Sequence, residues 1–241
     1  MSDAAFRAEV AGSGDPAALR DATIAHALRH GLRGWARADD DGAVRVHAEG
    51  AADALAALTA LLGERAGGDA VALDRAKVEG HEQFAARGVP AGVFVVQEHR
   101  ATAHHWDFRL EVDGVVRSWA VPKGPSLDPA VKRLAVQVDD HGMAHNKYEG
   151  PNVIVWDRGT YEQGGRVPWP RAIDERGHAV FVLHGEKLRG GFALQRTRPG
   201  AKPQWLLIKR KDDAARPGSD VVAERPESVV TGAPLRPPPA S

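Results

Sequence analysis

The sequence contains no cysteine, which excludes disulfide bonds and thiolate metal sites. Any soft metal ligands must therefore come from its 11 histidines. Lysine with arginine and aspartate with glutamate each number 32, so the net charge is zero and contact with nucleic acid would need a local basic patch. No apolar run approaches ~20 residues, and the first residues lack a secretory signal pattern. The default expectation is a cytoplasmic protein without membrane contact.

The chain has 241 residues, of which 43% are hydrophobic and 27% are charged, a composition typical of globular proteins. Its length favours two domains. Gly and Pro cluster near residues 84–91 between two regular segments, so we expect a boundary there. The expected parts are a first domain at 1–84, a second at 92–214 and a flexible Pro-rich tail at 215–241.

The first domain reads as strand, helix, two hairpin strands, helix and strand. Asp15 followed by Pro16 is typical of a helix N-terminus, and Gly31 is expected to end that helix. The alternation in LRGWARA and AVRVHAEG, separated by DDDG, predicts a hairpin. This β-α-β-β-α-β order predicts an α+β ferredoxin-like sandwich.

The segment GLRGWARADDDGAVRVHAEG resembles the core of the acylphosphatase family. The resemblance implies a phosphate-cradling loop that ends in a catalytic arginine, which falls on Arg20, and a water-orienting asparagine, where this chain has Ala38. The loop AGSGDPAALR also departs from the family's cradle. Without the amide that positions water, we expect a structural or binding domain rather than an acyl-phosphate hydrolase.

The second domain reads as a series of short antiparallel strands, which predicts a mainly antiparallel β-barrel or a sandwich. Asp113-Gly114 and Gly190-Gly191 are expected at hairpin turns. The later run LIKRKDD is expected to be a solvated edge strand, with a basic strip for the DNA backbone as the alternative.

The stretch HHWDFRLEVDG at residues 104–114 alternates polar and apolar side chains. Because strand side chains alternate faces, one face carries an imidazole, a carboxylate and a guanidinium, and the other is apolar. The polar row is His105, Asp107 and Arg109, and the apolar row, expected in the core rather than stacked on bases, includes Trp106 and Phe108.

Further polar residues could converge on this row. They are Gln97, His99, Lys123, Asp139 and His141. Two imidazoles and a carboxylate suit Mn²⁺, Zn²⁺ or Fe²⁺, whereas arginine, lysine and a further histidine suit a phosphate. From spacing alone, the alternative is that several histidines merely flank hairpins, with Asp107 paired to Arg109 and His141 capping a turn.

The run FVVQEHRATAHHWDFRLEVDGVVRSWAVPKGPSLDP, continued by RLAVQVDDH and by LHGEKLRGGFALQR, resembles the 3′-phosphoesterase domain of bacterial ATP-dependent DNA ligase D over residues 93–230. The resemblance implies a divalent metal, expected to be Mn²⁺ with Zn²⁺ or another transition metal as alternatives. The implied metal ligands are His99, His105 and Asp107. The residues implied to bind the phosphate and stabilise the transition state are His105, Arg109 and His141. The implied supporting residues are Gln97, Lys123, Arg133 and Asp139.

The chain also departs from that family. His145 stands where the family commonly has tyrosine, and is expected to donate to a phosphate with a different pKa. The family's R-D-F-x-x-T-x-E-P segment and its glycine-rich loop are missing. His104 is an added imidazole that alternation turns away from His105.

The resemblance implies an enzyme that trims 3′-terminal ribonucleotides or 3′-phosphates from DNA ends in repair. The alternative is an end-binding or scaffolding module of end joining that has lost turnover. Expected partners are DNA or DNA/RNA 3′ ends, together with a DNA ligase, a polymerase or an end-binding protein.

Overall fold

The chain divides into two compact units, one made of residues up to Val89 with Arg166–Pro168, and one made of the rest from Pro90 onward. The computed structural model describes residues 3–12, 14–66, 71–141 and 148–235, and for His141 the backbone only. Within those ranges, no helix is both long and apolar enough to cross a membrane.

The first unit is an α+β sandwich with the β-α-β-β-α-β order that the sequence predicts. Its elements are β1 (Ala4–Val10), α1 (Pro16–Arg29), β2 (Arg33–Ala38), β3 (Val44–Gly50), α2 (Ala52–Arg65), β4 (Val71–Arg75) and β5 (Phe84–Arg87). The sheet has the strand order β4-β1-β3-β2-β5. Strand β5 was not predicted: its residues read as an interdomain junction, but they pair in parallel with β2.

Helix α1 begins where the sequence predicts. The Asp15 side chain accepts a hydrogen bond from the Ala18 N–H at 2.9 Å, which satisfies one of the free donors at the helix N-terminus. Leu58 and Leu62 of α2 pack in one buried cluster with Val44 and Val46 of β3. The helices therefore cover one face of the sheet, and the alternate residues of β3 point to the other face.

A short connection crosses that other face. Strands β4 and β5 lie at opposite edges of the sheet, so residues 76–83, here called the crossing segment, must pass over the strands between them. The helices already occupy one side, which leaves the opposite side for the crossing segment. It packs above β3, where Glu49 accepts hydrogen bonds from its backbone.

The second unit is a closed antiparallel β-barrel, as one of the two expected architectures. Its strands are β6 (Gly92–Arg100), β7 (His104–Val112), β8 (Val115–Val121), β9 (Lys132–His141), β10 (Val153–Gln163), β11 (His178–Gly185), β12 (Arg189–Arg198) and β13 (Gln204–Lys209), with the short helices α3 (Arg171–Asp174) and α4 (Val221–Glu224). The closed order is β10-β11-β12-β13-β9-β8-β7-β6.

Aromatic side chains fill the barrel. Phe108, Phe181 and Phe192 are fully buried, and their ring centroids follow one another at 5.8 Å and 6.2 Å. Trp119 packs edge-on against Trp205 at 5.9 Å. Phe108 is therefore part of the core, as the alternation in β7 predicts.

Two local predictions about the barrel strands differ in outcome. Asp113 and Gly114 both have positive φ, 51° and 77°, which is the geometry of the predicted hairpin turn. The turn predicted at Gly190-Gly191 is wrong, because both glycines lie inside β12 and the connection from β11 is made by residues 186–188.

The LIKRKDD run is not an edge strand either, because β13 pairs on both sides, with β12 and with β9. The side chain of Lys209 is fully buried, and its Nζ donates to both Asp212 carboxylate oxygens at 2.5 and 2.6 Å. That lysine is therefore committed to the barrel and does not present its charge to a DNA backbone.

Residues 215–235 pack on the barrel, which corrects the expectation of a flexible tail from 215. Lys187 has a fully buried side chain whose Nζ donates to the carbonyl of Arg225 at 2.8 Å and to that of Glu227. The same Nζ lies 4.5 Å from the ring centroid of Trp156, and the Trp156 N–H also donates to Arg225. The composition suggested disorder, but backbone carbonyls of this segment accept hydrogen bonds from buried donors of the barrel and so keep the segment in place.

Asp157 fixes the connection between β11 and β12. Its carboxylate is fully buried and accepts the backbone N–H groups of Glu186, Lys187 and Leu188 at 2.8–3.1 Å. Asp157→Ala leaves three backbone donors without this acceptor, those of Lys187 and Leu188 being buried, so we expect the free energy of unfolding to fall by about 3 kcal/mol or more. The exposed Asp213→Ala is the control and should change it by less than about 0.5 kcal/mol. Urea melts of both variants measure this, and equal effects would contradict it.

Candidate metal centre

Three potential metal ligands lie on the outer face of two neighbouring barrel strands. Strands β6 and β7 are antiparallel, with His99 opposite His105 and Gln97 opposite Asp107. Residues directly opposite each other point to the same side of a sheet. The strand pairing therefore brings His99 beside the row predicted from β7, while the alternate side chains of β7, such as Phe108, fill the barrel.

The three side chains are close enough to share one ion. One ligand atom from each of His99, His105 and Asp107 can be chosen so that all lie within 4.8 Å of one another. His105 Nε2 is 3.3 Å from Asp107 Oδ1, and His99 Nδ1 is 3.8 Å from Asp107 Oδ2. Two imidazoles and a carboxylate are a donor set that suits a divalent transition metal.

The backbone orients one of these rings. Nδ1 of His105 donates to the carbonyl of Ala103 at 2.9 Å, which holds the proton on that nitrogen and leaves Nε2 turned toward Asp107. Hydrogen bonds of this kind, from a ligand's second ring nitrogen to a carbonyl, are usual at metal-binding histidines. His105 is therefore held in an orientation that suits ligation.

The surroundings shift the pKa of each member of the cluster. Burial lowers the pKa of His99, which favours its neutral ring. The hydrogen bond to Asp107 raises the pKa of His105. Burial acts to raise the pKa of Asp107, but the hydrogen bond with His105 and the charge of Arg109 outweigh it, and the pKa lies below its ordinary value. The carboxylate is therefore charged at neutral pH.

Arg109 places unused donors beside this cluster. Its Nη2 donates to Asp107 Oδ2 at 3.2 Å, whereas Nε and Nη1 are buried and have no partner among the described residues. Ser118 lies directly opposite Arg109 on β8, and its buried Oγ likewise has no partner in those ranges. Buried donors without acceptors are costly, so this pair suits an anion such as a phosphate. Ser118 was not predicted, because only the register shows that it faces Arg109.

Two neighbours complete the surroundings of the cluster. Gln97 is almost fully buried and its amide donates to the carbonyl of Tyr148 at 2.8 Å. His104 turns to the opposite side of β7, as predicted, where Nε2 donates to Glu98 at 2.8 Å and the ring packs 4.5 Å from that of Trp106. His104 therefore does not take part in the cluster.

The remaining predicted site residues have different positions relative to this cluster. Lys123 is exposed in the turn after β8, and Asp139 is exposed near the end of β9. Arg133 lies opposite the buried Leu207 of β13. Asp107, Ala120 and Val136 lie side by side across the sheet, so Val136 is on the face that carries the cluster. Arg133 is three residues from Val136 on β9, so alternation turns it to the other face. His141 ends β9 opposite Val116, with its side chain undescribed, and His145 lies outside the described residues.

Each part of the chain matches a family of known proteins. Residues 97–196 match the family model of the DNA ligase D 3′-phosphoesterase domain, and residues 8–84 match that of acylphosphatase. Both resemblances predicted from the sequence are thereby confirmed. An acylphosphatase of known structure from Coxiella burnetii is 25% identical over 36% of this chain and 94% of that chain, with a TM-score of 0.32.

The curated relatives are much longer proteins. The multifunctional non-homologous end joining protein LigD of Pseudomonas aeruginosa is 49% identical over 156 residues, which are 60% of this chain and 18% of that protein. The multifunctional non-homologous end joining DNA repair protein LigD of Mycobacterium tuberculosis is 38% identical over 128 residues, which are 49% of this chain and 16% of that protein. The chain thus matches less than a fifth of each of these relatives.

Substitutions at three positions of β7 should have different effects. Asp107→Asn removes a charged ligand with little change in volume, so Mn²⁺ affinity should fall while the apo protein stays folded. Trp106→Ala removes a ring that is only 8% exposed and should cost about 3–5 kcal/mol of stability. His104→Ala, the matched control, should leave Mn²⁺ binding unchanged. Calorimetric Mn²⁺ titrations and thermal melts test this; unchanged affinity in Asp107→Asn would refute the assignment.

Proposed function

We propose that the barrel unit is a metal-dependent 3′-phosphoesterase that removes 3′-phosphates or 3′-terminal ribonucleotides from DNA ends during repair. The observation that carries this proposal is the buried guanidinium of Arg109, which keeps two donors unused beside a His–His–Asp cluster. A metal and an arginine fork side by side are what a phosphoryl group needs. The match of residues 97–196 to the DNA ligase D 3′-phosphoesterase domain supports the same reaction class.

His99, His105 and Asp107 would hold the ion, which we propose to be Mn²⁺, with Zn²⁺ or another transition metal as alternatives. Their donor set fits: two imidazole nitrogens and one charged carboxylate within 4.8 Å. Such an ion, when bound, polarises a phosphoryl oxygen and lowers the pKa of a water molecule.

The chain's own residues would then bind and orient the substrate. Asp107 fixes the guanidinium of Arg109 through Nη2, so the remaining N–H donors are held in place without further ordering. Those donors would bind phosphoryl oxygens and stabilise the negative charge that develops on them in the transition state. Ser118 would add a hydroxyl donor from the neighbouring strand.

Other roles come from the resemblance. His141 and His145 would donate to the phosphate, and Gln97, Lys123, Arg133 and Asp139 would support substrate binding. The alternation of β9 makes Arg133 the least direct of these, because it turns away from the face that carries Arg109. Its proposed role is therefore to support the site from the barrel side.

The proposed substrates are DNA or DNA/RNA 3′ ends, and the proposed partners are a DNA ligase, a polymerase or an end-binding protein. The names of the relatives from Pseudomonas aeruginosa and Mycobacterium tuberculosis describe end joining, which supports this context. The competing proposal is an end-binding module without turnover. The missing R-D-F-x-x-T-x-E-P segment and glycine-rich loop favour it, because both would help to position a substrate.

A 3′-phosphorylated primer distinguishes the two. With Mn²⁺, the parent protein should release phosphate, and EDTA should abolish the release. Arg109→Lys keeps the charge but loses the fork, so the rate should fall about 100-fold. Arg158→Lys, an exposed arginine on β10 paired only loosely with Glu186 at 3.7 Å, is the matched control and should keep the parent rate. Tight Mn²⁺-dependent binding of the primer without phosphate release would refute the enzyme and support the end-binding module.

The first unit, in contrast, should not hydrolyse acyl phosphates. Arg20 forms an ion pair with Asp21 at 2.7 Å, and Ala38, at the end of β2, offers no amide to orient water. We expect benzoyl phosphate to be hydrolysed no faster in the presence of the whole chain than without it. Turnover by the parent that Arg20→Ala abolishes would show that the unit retains acylphosphatase chemistry.

A further inference from the structure

A second group of potential metal ligands lies in the first unit. His47 and Glu49 are alternate residues of β3 on the face away from the helices, and His81 belongs to the crossing segment that passes over that face. One ligand atom from each can be chosen so that all lie within 4.8 Å. His47 and Glu49 are fully buried and His81 is 2% exposed. No residue of this group belongs to the barrel site.

Glu49 fastens the crossing segment to the sheet. Its carboxylate accepts the backbone N–H groups of Glu79 at 2.5 Å, Gly80 at 3.1 Å and His81 at 3.1 Å. It also accepts from His47 Nε2 at 2.9 Å. A charged carboxylate is thus held inside the unit, with the ring of His81 5.3 Å from that of His47.

Hydrogen bonds within the unit do not satisfy every polar atom of this group. Nε2 of His81 and Nδ1 of His47 are buried and have no hydrogen-bond partner among the described residues. A buried nitrogen without a hydrogen-bond partner lowers stability, and each histidine of this group has one. A network built only to fix the crossing segment would need Glu49 and the backbone, but it would not need two imidazoles. A bound cation accounts for the histidines as well.

We propose that His47, Glu49 and His81 bind a divalent transition-metal ion of the zinc class. Two imidazole nitrogens and one carboxylate oxygen are a known zinc donor set. Glu79, whose Oε2 lies 3.5 Å from His81 Nε2, offers a fourth oxygen, and its carboxylate also pairs with Arg7 and Arg166. The ion joins β3 to the crossing segment and thereby adds to the stability of the unit.

The test uses the full chain with its barrel cluster disabled by His99→Ala and Asp107→Asn. This background should still bind Co²⁺, with the intense visible absorption of a tetrahedral nitrogen and oxygen site, and Zn²⁺ should displace the colour. Zn²⁺ should also raise the melting temperature of the background, and EDTA should reverse the rise. A folded background that binds neither ion would overturn the proposal without any further variant.

Two histidine variants in this background locate the ion. His81→Ala should weaken Co²⁺ binding at least tenfold and remove the Zn²⁺-dependent rise in melting temperature. His30→Ala, an exposed histidine of the same unit, should change neither. The rise is compared within each variant, so a loss of intrinsic stability in His81→Ala does not imitate a loss of binding. If His81→Ala does not fold, X-ray absorption on the zinc-loaded background must show two imidazole ligands, and a spectrum without them would refute the site. Equal losses in both variants would also refute it.

Discussion

Burial on both faces of β7 is the constraint on which the barrel site depends. A strand with one wet face can carry any polar residues there, but Asp107 and Arg109 are each only 8% exposed on the side away from the aromatic core. Charged groups in such a place must find partners or lose stability. Asp107 pairs with Arg109 and His105, whereas two nitrogens of the Arg109 guanidinium have no hydrogen-bond partner among the described residues. The same strand that completes the hydrophobic core therefore also holds charges ready for a ligand.

The fold was predictable where a local pattern carries the information. Alternation predicts β7, Asp113-Gly114 marks the turn after it, and the Asp15-Pro16 pair marks the start of α1. Strand β5 escaped prediction because its four residues acquire their meaning from β2, about 50 residues earlier, to which they pair in parallel. The segment 215–235 escaped for the same reason: its composition is that of a linker, and only the buried donors of the barrel make it ordered.

The candidate site, too, was predictable only where the pattern is local. The pair His105 and Asp107 follows from spacing two residues apart on one strand, but His99 joins them only through the register of β6 with β7. The face of a residue on a distant strand also depends on register: the resemblance implies that Arg133 supports the site, but alternation turns it to the other face. Ser118 shows no local signal. His47 and Glu49 are also two residues apart on one strand, but His81 joins them only because the crossing segment meets β3 in space.

The buried ammonium of Lys187 has a consequence for the order in which the protein can mature on the ribosome. Its acceptors are the carbonyls of Arg225 and Glu227, 38 and 40 residues further along the chain. At about 5–20 residues per second, synthesis reaches them about 2–8 s after Lys187 itself. During that interval a nascent barrel cannot close over Trp156 without trapping an unpaired charge. The lysine therefore favours late closure, once the residues that accept its hydrogen bonds have been made.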